Sequence, residues 1–219
     1  MGERLAVYGG AFDPVHTAHL RAAQEAAEEI GLDQVLFLPC AQPPHPKAVM
    51  APVEHRLEML RLATADNPRF GVSDLEARLG GTSFTVNTLE ELNRRHPNTH
   101  IYFLIGADAF FHIHTWRQPE RLFELADFVV MARPKSPRSE ILEYLRSMLD
   151  PRFAPDTDGW VRLPGGHGAK RVPTTLLSIS STDIRRRVAE GLSITYLVPP
   201  AVEDYIYRMN LYREPGSPA

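Results

Sequence analysis

The chain has 219 residues, 43% of them hydrophobic, and a formal net charge of −3, which suits one α/β domain and excludes a general binder of polyanions or acidic membranes, so any affinity for phosphate must be local. Cys40 is the single cysteine, which excludes an intrachain disulfide and fits a reducing compartment. No apolar run approaches about 18 residues, and the amino end enters a strand with no charged, apolar and cleavage regions, so neither a spanning helix nor a signal peptide is expected and the cytoplasm is the expected location.

The first expected strand, 4–8, runs into Gly9-Gly10-Ala11-Phe12-Asp13-Pro14-Val15-His16-Thr17-Ala18-His19. Two glycines after a strand let the backbone approach a bulky anion, and Asp13-Pro14 marks a tight turn before a helix over 17–30. His16 and His19, three apart, share one face of its first turn, where free N–H groups and the helix dipole favour anions. Further short apolar strands are expected at 34–38, 69–73, 100–105 and 127–131, with helices at about 52–65, 84–95 and 118–125 between them. This alternation predicts a single doubly wound, Rossmann-like domain: a mainly parallel sheet flanked by helices, with ligand sites at the carboxyl ends of the strands. Gly9-Gly10 and Gly106-Ala107-Asp108 both fall at such ends, which places them in one cleft.

The segment 132–172 reads as less regular, with a helix near 137–149 followed by loop punctuated by Pro151, Pro155, Gly159, Pro164 and Gly165-Gly166-His167-Gly168. Beyond it, Ile179-Ser180-Ser181-Thr182-Asp183-Ile184-Arg185-Arg186-Arg187 has the marks of a helix N-terminus that can bind phosphate. Ser hydroxyls can donate, and Arg185 offers a forked guanidinium; Arg186 and Arg187 read as a solvated face. A last helix is expected at 200–209, after Pro199. The domain spans 1–210 and the tail 211–219. Either motif alone also fits a plainer description: a turn with surface histidines or half a metal site for the first, an ordinary capped basic helix for the second. His45, His55, His96, His100, His112, His114 and His167 show no ligand spacing, so no protein metal ligands are expected.

Together the two motifs resemble the nucleotidyltransferase superfamily with an N-terminal (G/T)xFxPxHxxH and a C-terminal ISSTxIR. Within it the chain is most similar to the bacterial nicotinate-nucleotide adenylyltransferases, over most of residues 4–210. Connecting markers are Pro43-Pro44-His45-Pro46-Lys47, Thr82-Ser83-Phe84-Thr85, Gly106-Ala107-Asp108, Trp116 and Arg133-Pro134. Two positions depart from the family pattern: Pro46 separates His45 from Lys47, and Phe84 stands where tyrosine is common.

The resemblance implies attack by the 5′-phosphate of nicotinate mononucleotide on the α-phosphorus of ATP, giving nicotinate adenine dinucleotide and pyrophosphate. Mg²⁺ would travel with ATP. The nucleophile is already anionic, so the protein supplies positioning and donors and forms no covalent intermediate. Catalytic residues would be His16, His19, Lys47 and Arg185, with both histidines cationic beside so much anion. Gly9, Gly10, Phe12, Gly106, Asp108, Arg133, Ile179, Ser180 and Ser181 would join His16, His19 and Arg185 around ATP. Lys47, Ser83, Phe84, Thr85 and Trp116 would take the mononucleotide, with Trp116 stacked on the pyridinium ring and Thr85 near its carboxylate. Asp13 reads mainly as a turn former. Partners are then ATP and nicotinate mononucleotide, with no nucleic acid or membrane, and a homo-oligomer is allowed. Nicotinamide mononucleotide and phosphopantetheine remain alternative acceptors, and a non-catalytic nucleotide binder or a metal hydrolase built on His16 and His19 remains an alternative class.

Overall fold

The computed structural model describes residues 4–43, 50–132 and 139–213. The strands and helices, in chain order, are β1 (Arg4–Gly10), α1 (Thr17–Ile30), β2 (Gln34–Pro39), α2 (Val53–Thr64), β3 (Phe70–Val72), α3 (Leu75–Leu79), α4 (Thr85–Arg95), β4 (His100–Gly106), α5 (Ala107–Phe110), α6 (Pro119–Leu125), β5 (Asp127–Ala132), α7 (Ser139–Met148), β6 (Ala154–Pro155), β7 (Trp160–Arg162), β8 (Gly168–Pro173), α8 (Ser181–Ala189) and α9 (Pro200–Arg208). They form one eight-stranded sheet ordered β3-β2-β1-β4-β5-β8-β7-β6, parallel except for the last two strands.

The apolar runs that identify the strands are buried on both sides. Ala6, Phe37, Leu104 and Val129 face one core, which holds Ala23, Ala26, Ala27 and Ile30 of α1. Their chain neighbours Val7, Leu38, Phe103 and Val130 face a second core with Leu89, Leu92 and Phe128. Side chains alternate along a strand, so helices must cover both faces. Helix α1 ends where Gly31 takes a left-handed conformation (φ 71°) and donates to the Ala27 carbonyl. Among the described residues no helix is long and apolar enough to cross a membrane.

The stretch 132–172 is more regular than its sequence suggests. Strand β8 extends the parallel sheet beside β5, and β7 and β6 add an antiparallel edge. Its cationic centre, Lys170-Arg171, hides the strand from a hydrophobic pattern, and Lys170 Nζ lies 3.5 Å from Glu29. Gly168 has a packing reason: a Cβ there would meet the Val161 carbonyl oxygen at 2.0 Å. Within the expected tail, Tyr212 is 8% exposed and its hydroxyl donates to Asp13 at 2.7 Å. The short helices α3 and α5 were not expected from periodicity, being too brief to show one.

Strand order reverses between β1 and β4, since β2 and β3 lie on one side and β5 and β8 on the other. In open α/β sheets such a switch point opens a crevice at the carboxyl ends of the strands. Gly10 and Gly106 end the two flanking strands.

Candidate active site

The turn after β1 brings the first motif to the mouth of this crevice. Phe12 adopts φ 47°, the Asp13-Pro14 peptide is cis, and both Phe12 and Val15 are buried. Gly10 is required by that burial, because a Cβ would stand 3.0 Å from the Phe12 ring. The Phe12 ring packs edge-on against His19, centroids 5.1 Å apart, so this side chain supports a histidine.

His16 is the residue before α1, and His19 lies in the first turn. Their rings stack, with centroids 3.6 Å apart and planes at 23°. The His16 backbone N–H donates to His19 Nδ1 at 3.3 Å, which leaves the His19 proton on Nε2. His16 is 5% exposed, and its Nδ1 is buried without a partner among the described residues. Burial holds its pKa down at about 4. That of His19 is also well below the usual value, by burial and then by the nearby His16. In the protein by itself burial thus favours the neutral imidazoles, because desolvation opposes charge, whereas the expectation of cationic histidines concerns the site filled with anionic phosphates.

Asp13 knits three parts of the chain together. Its carboxylate accepts from the Met50 N–H at 2.8 Å, from Ala51 N–H at 3.3 Å and from Tyr212. The second motif docks on the same turn. Ser181, first residue of α8, donates its hydroxyl to the Pro14 carbonyl at 2.9 Å, and Arg185 Nη1 donates to the Asp13 carbonyl at 2.6 Å. Ser180 caps α8, its side chain accepting from the Asp183 N–H at 3.1 Å. Ile179 packs against the first core. Arg186 pairs with Asp183 and Glu190 on the surface, as expected of a solvated face.

Arg56 was not expected here. It is 1% exposed within α2, and its guanidinium donates to the carbonyls of Ala51 (3.1 Å), Ala11 (2.8 Å) and Cys40 (2.7 Å). One cation thereby fixes the loops after β1 and β2 to each other. A signal was present, because Arg56 shares the buried helical face of Met59 and Leu60. Burial raises the Cys40 thiol pKa, in keeping with a packing residue.

On the other side of the crevice, Ser83 serves the backbone: its hydroxyl accepts from Ala41 N–H at 3.1 Å and Gln42 N–H at 3.2 Å. Thr85 opens α4 directly after Phe84, whose ring lies under the Arg117 guanidinium at 4.7 Å. Trp116 is half-buried, edge-on to Phe103 with centroids 6.4 Å apart. Phe84 and Trp116 both pack against the second core, and Arg117 is an unforeseen cation over the Phe84 ring. Asp108 is exposed in the first turn of α5, after Gly106. Lys47 and Arg133 lie outside the described residues.

His114 contacts the Tyr144 hydroxyl at 2.7 Å and His112 the Asp108 carbonyl at 2.8 Å. His100 and His167 show no ligand spacing along the chain, yet the fold gathers both around Asp127 at the opposite end of the sheet.

The cytidylyltransferase-like family model matches residues 7–187, from β1 through both motifs. A curated protein of Syntrophotalea carbinolica named probable nicotinate-nucleotide adenylyltransferase is 45% identical, with 96% of this chain and 97% of that protein covered. A protein of the same name from Thermus thermophilus is 44% identical, with 96% and 100% covered. Among solved structures, Plasmodium falciparum nicotinic acid mononucleotide adenylyltransferase complexed with NaAD superposes with a TM-score of 0.74 at 21% identity, covering 96% of this chain and 97% of that one, which supports the fold. With near full-length identity to those relatives, the chain belongs to the nicotinate-nucleotide adenylyltransferase family of cytidylyltransferase-like proteins.

Proposed function

We propose that this protein transfers the adenylyl group of ATP to nicotinate mononucleotide, forming nicotinate adenine dinucleotide and releasing pyrophosphate. The observation that carries the proposal is the stacked His16–His19 pair at the start of α1, with α8 docked beside it through Ser181 and Arg185. This brings imidazole and guanidinium donors together at the switch point, in a chain whose full-length relatives bear that activity in their names.

The chemistry is a single in-line displacement. A phosphate oxygen of nicotinate mononucleotide forms a bond to the α-phosphorus while the bond to the bridging oxygen breaks, and the electron pair leaves with pyrophosphate. His16 donates to the α-phosphate as a neutral imidazole, and the approach of anionic phosphate raises its pKa. His19 orients the site through its stacking and its Nε2 proton. Arg185 has donors left for the β- and γ-phosphates beyond its bond to Asp13, and the α8 N-terminus favours the same charge. Lys47 and Arg133 would neutralise phosphate and line the adenine side. Gly9, Gly10, Gly106 and Asp108 would border ATP, with Asp108 accepting from ribose hydroxyls. Trp116 and Phe84 would sandwich the pyridinium ring, while Thr85 and the free N–H groups opening α4 take its carboxylate.

ATP enters with a divalent cation, which we assign as Mg²⁺. The nearest carboxylate, Asp13, already accepts from Met50, Ala51 and Tyr212, so the residues present fit a cation carried by the triphosphate oxygens. The enzyme would work in the cytoplasm as one domain. Pyrophosphate release from Mg²⁺-ATP with nicotinate mononucleotide, nicotinamide mononucleotide and phosphopantetheine in parallel tests the proposal. Preference for the first is expected; preference for another reassigns Thr85 and Trp116, and release with none of them overturns the activity.

A further inference from the structure

At the amino ends of the parallel strands, away from the crevice, three potential metal ligands converge. His100 begins β4, Asp127 begins β5, and His167 immediately precedes β8. Their nearest ligand atoms all lie within 4.8 Å of one another. The parallel register produces this, pairing Tyr102 with Asp127 and Phe128 with Ala169, so residues far apart in sequence start adjacent strands together. Strand β4 has seven residues, which at roughly 3.3 Å each puts about 20 Å between this cluster and the His16 end of the sheet.

We propose that His100, Asp127 and His167 form a binding site for a transition-metal dication of the Zn²⁺ class. Asp127 is fully buried, and its two oxygens have separate duties. Oδ1 accepts from the Gly168 N–H at 2.8 Å and from Arg162 at 2.5 Å, with His167 Nδ1 at 3.6 Å. Oδ2 faces His100 Nε2 at 2.7 Å. The oxygen fixed by outer hydrogen bonds orients the carboxylate, as around metal sites generally, and leaves Oδ2 facing His100, with the His167 imidazole on the neighbouring oxygen. A cation there takes Oδ2, His100 Nε2 and His167 Nδ1, displacing the proton now shared by His100 and Asp127.

Arg162 stands beside the cluster, bonded to Oδ1 and lining the same cavity, but its guanidinium also pairs with Asp156 at 3.1 Å and lies over the Trp160 ring at 4.4 Å, so its charge is divided between two carboxylates and Oδ2 is left to His100. Asp127 and Asp156 balance Arg162 to a net charge of −1 before any metal enters. His100 and His167 also border a cavity of about 460 Å³ with Glu124, Arg152, Arg162 and Leu163 on its walls. Three protein ligands with an open side suit a four-coordinate ion that keeps one water. Two imidazoles and one carboxylate favour Zn²⁺ over Mg²⁺, which demands oxygen donors.

The test is titration of the metal-stripped full chain with Zn²⁺ and, separately, Mg²⁺, read by calorimetry and by the shift in melting temperature. One Zn²⁺ per chain is expected, with a raised melting temperature and no matching response to Mg²⁺. His167→Asn, on a turn outside the strands, is expected to weaken Zn²⁺ binding at least about 100-fold, since loss of even an outer partner costs roughly 10–100-fold; His100→Asn is expected to do the same, with circular dichroism checking the fold. X-ray absorption on the zinc-loaded wild type gives a readout independent of the variants, with two imidazoles and an oxygen expected at about 2.0–2.2 Å. Absence of Zn²⁺ binding by the wild type, or affinity unchanged in His167→Asn, overturns the proposal, and so does a zinc shell with fewer than two imidazoles.

Discussion

Arg185 donates from Nη1 to the backbone carbonyl of Asp13 at 2.6 Å, across 172 residues of sequence. The bond joins the two motifs into one corner, because Ser181 makes a parallel link to Pro14. A guanidinium that is already anchored loses less freedom when it meets a triphosphate, which is the condition for a preorganised electrostatic site.

Arg185→Gln is therefore expected to lower kcat on the order of 10²–10³-fold, the usual loss for one preorganised donor. The melting temperature should move by only a few degrees, since α8 keeps its Ser180 cap and its buried Ile184 and Val188. Steady-state kinetics with calorimetric melting checks this; turnover within about threefold of wild type would show that Arg185 braces the loop and does nothing for phosphate.

Arg56 predicts a different pattern. Arg56→Met keeps the bulk and removes the donors that satisfy the carbonyls of Ala11, Cys40 and Ala51. Buried carbonyls left unpaired cost about 1–3 kcal/mol each where water cannot replace the donor. For a chain of this size about 2–4 °C is lost per kcal/mol, so a fall of roughly 10 °C is expected, with KM rising for both substrates as the two loops loosen. A melting temperature within about 2 °C of wild type would mean that water substitutes for the guanidinium.

Trp116 should separate the two substrates. It lies against Phe103 and beside the Arg117–Phe84 pair, on the opposite side of the crevice from the histidines. Trp116→Ala is expected to raise KM for nicotinate mononucleotide about tenfold or more, the loss of roughly 1–2 kcal/mol of ring and cation–π contact, with KM for ATP nearly unchanged. Equal effects on both would indicate that the indole only supports the Phe103 core.

The parts of this molecule that were legible in the sequence are those written in local pattern. Two-sided apolar runs such as Phe128–Met131 announce buried parallel strands, and Gly9-Gly10 followed by His16 and His19 announces a strand, a tight turn and a helix start. The turn at Asp13 is legible in Asp13-Pro14, whereas its partners at Met50 and Tyr212 depend on tertiary approach. Strand β8 escaped notice because its ladder to β5 overrides a weak local preference. The grouping of His100, Asp127 and His167 escaped for a related reason: it exists only through the register of adjacent strands, and no spacing along the chain encodes it.

The His16 pKa makes the last prediction, for pH. Burial holds it at about 4 in the folded protein, below the ordinary value of 6.5. The unfolded chain therefore binds more protons between those values, so stability rises with pH across that window. The His16 contribution is fully present above about pH 6.5 and is lost as pH falls towards 4. A shift of this size corresponds to about 3 kcal/mol at most, so His16→Asn should be relatively more stable than wild type at pH 4.5 than at pH 7.5. The same residue should add no ionisation of its own near pH 6.5 to kcat/KM, because that ratio reports the free enzyme and free substrates, and any inflection from the substrate phosphates, whose second pKa is about 6, should persist in His16→Asn. Denaturant melts at the two pH values, together with a pH–rate profile, check both parts. A wild-type inflection near 6.5 that disappears in His16→Asn would show that the imidazole is solvated and charged, and would remove the neutral-donor role.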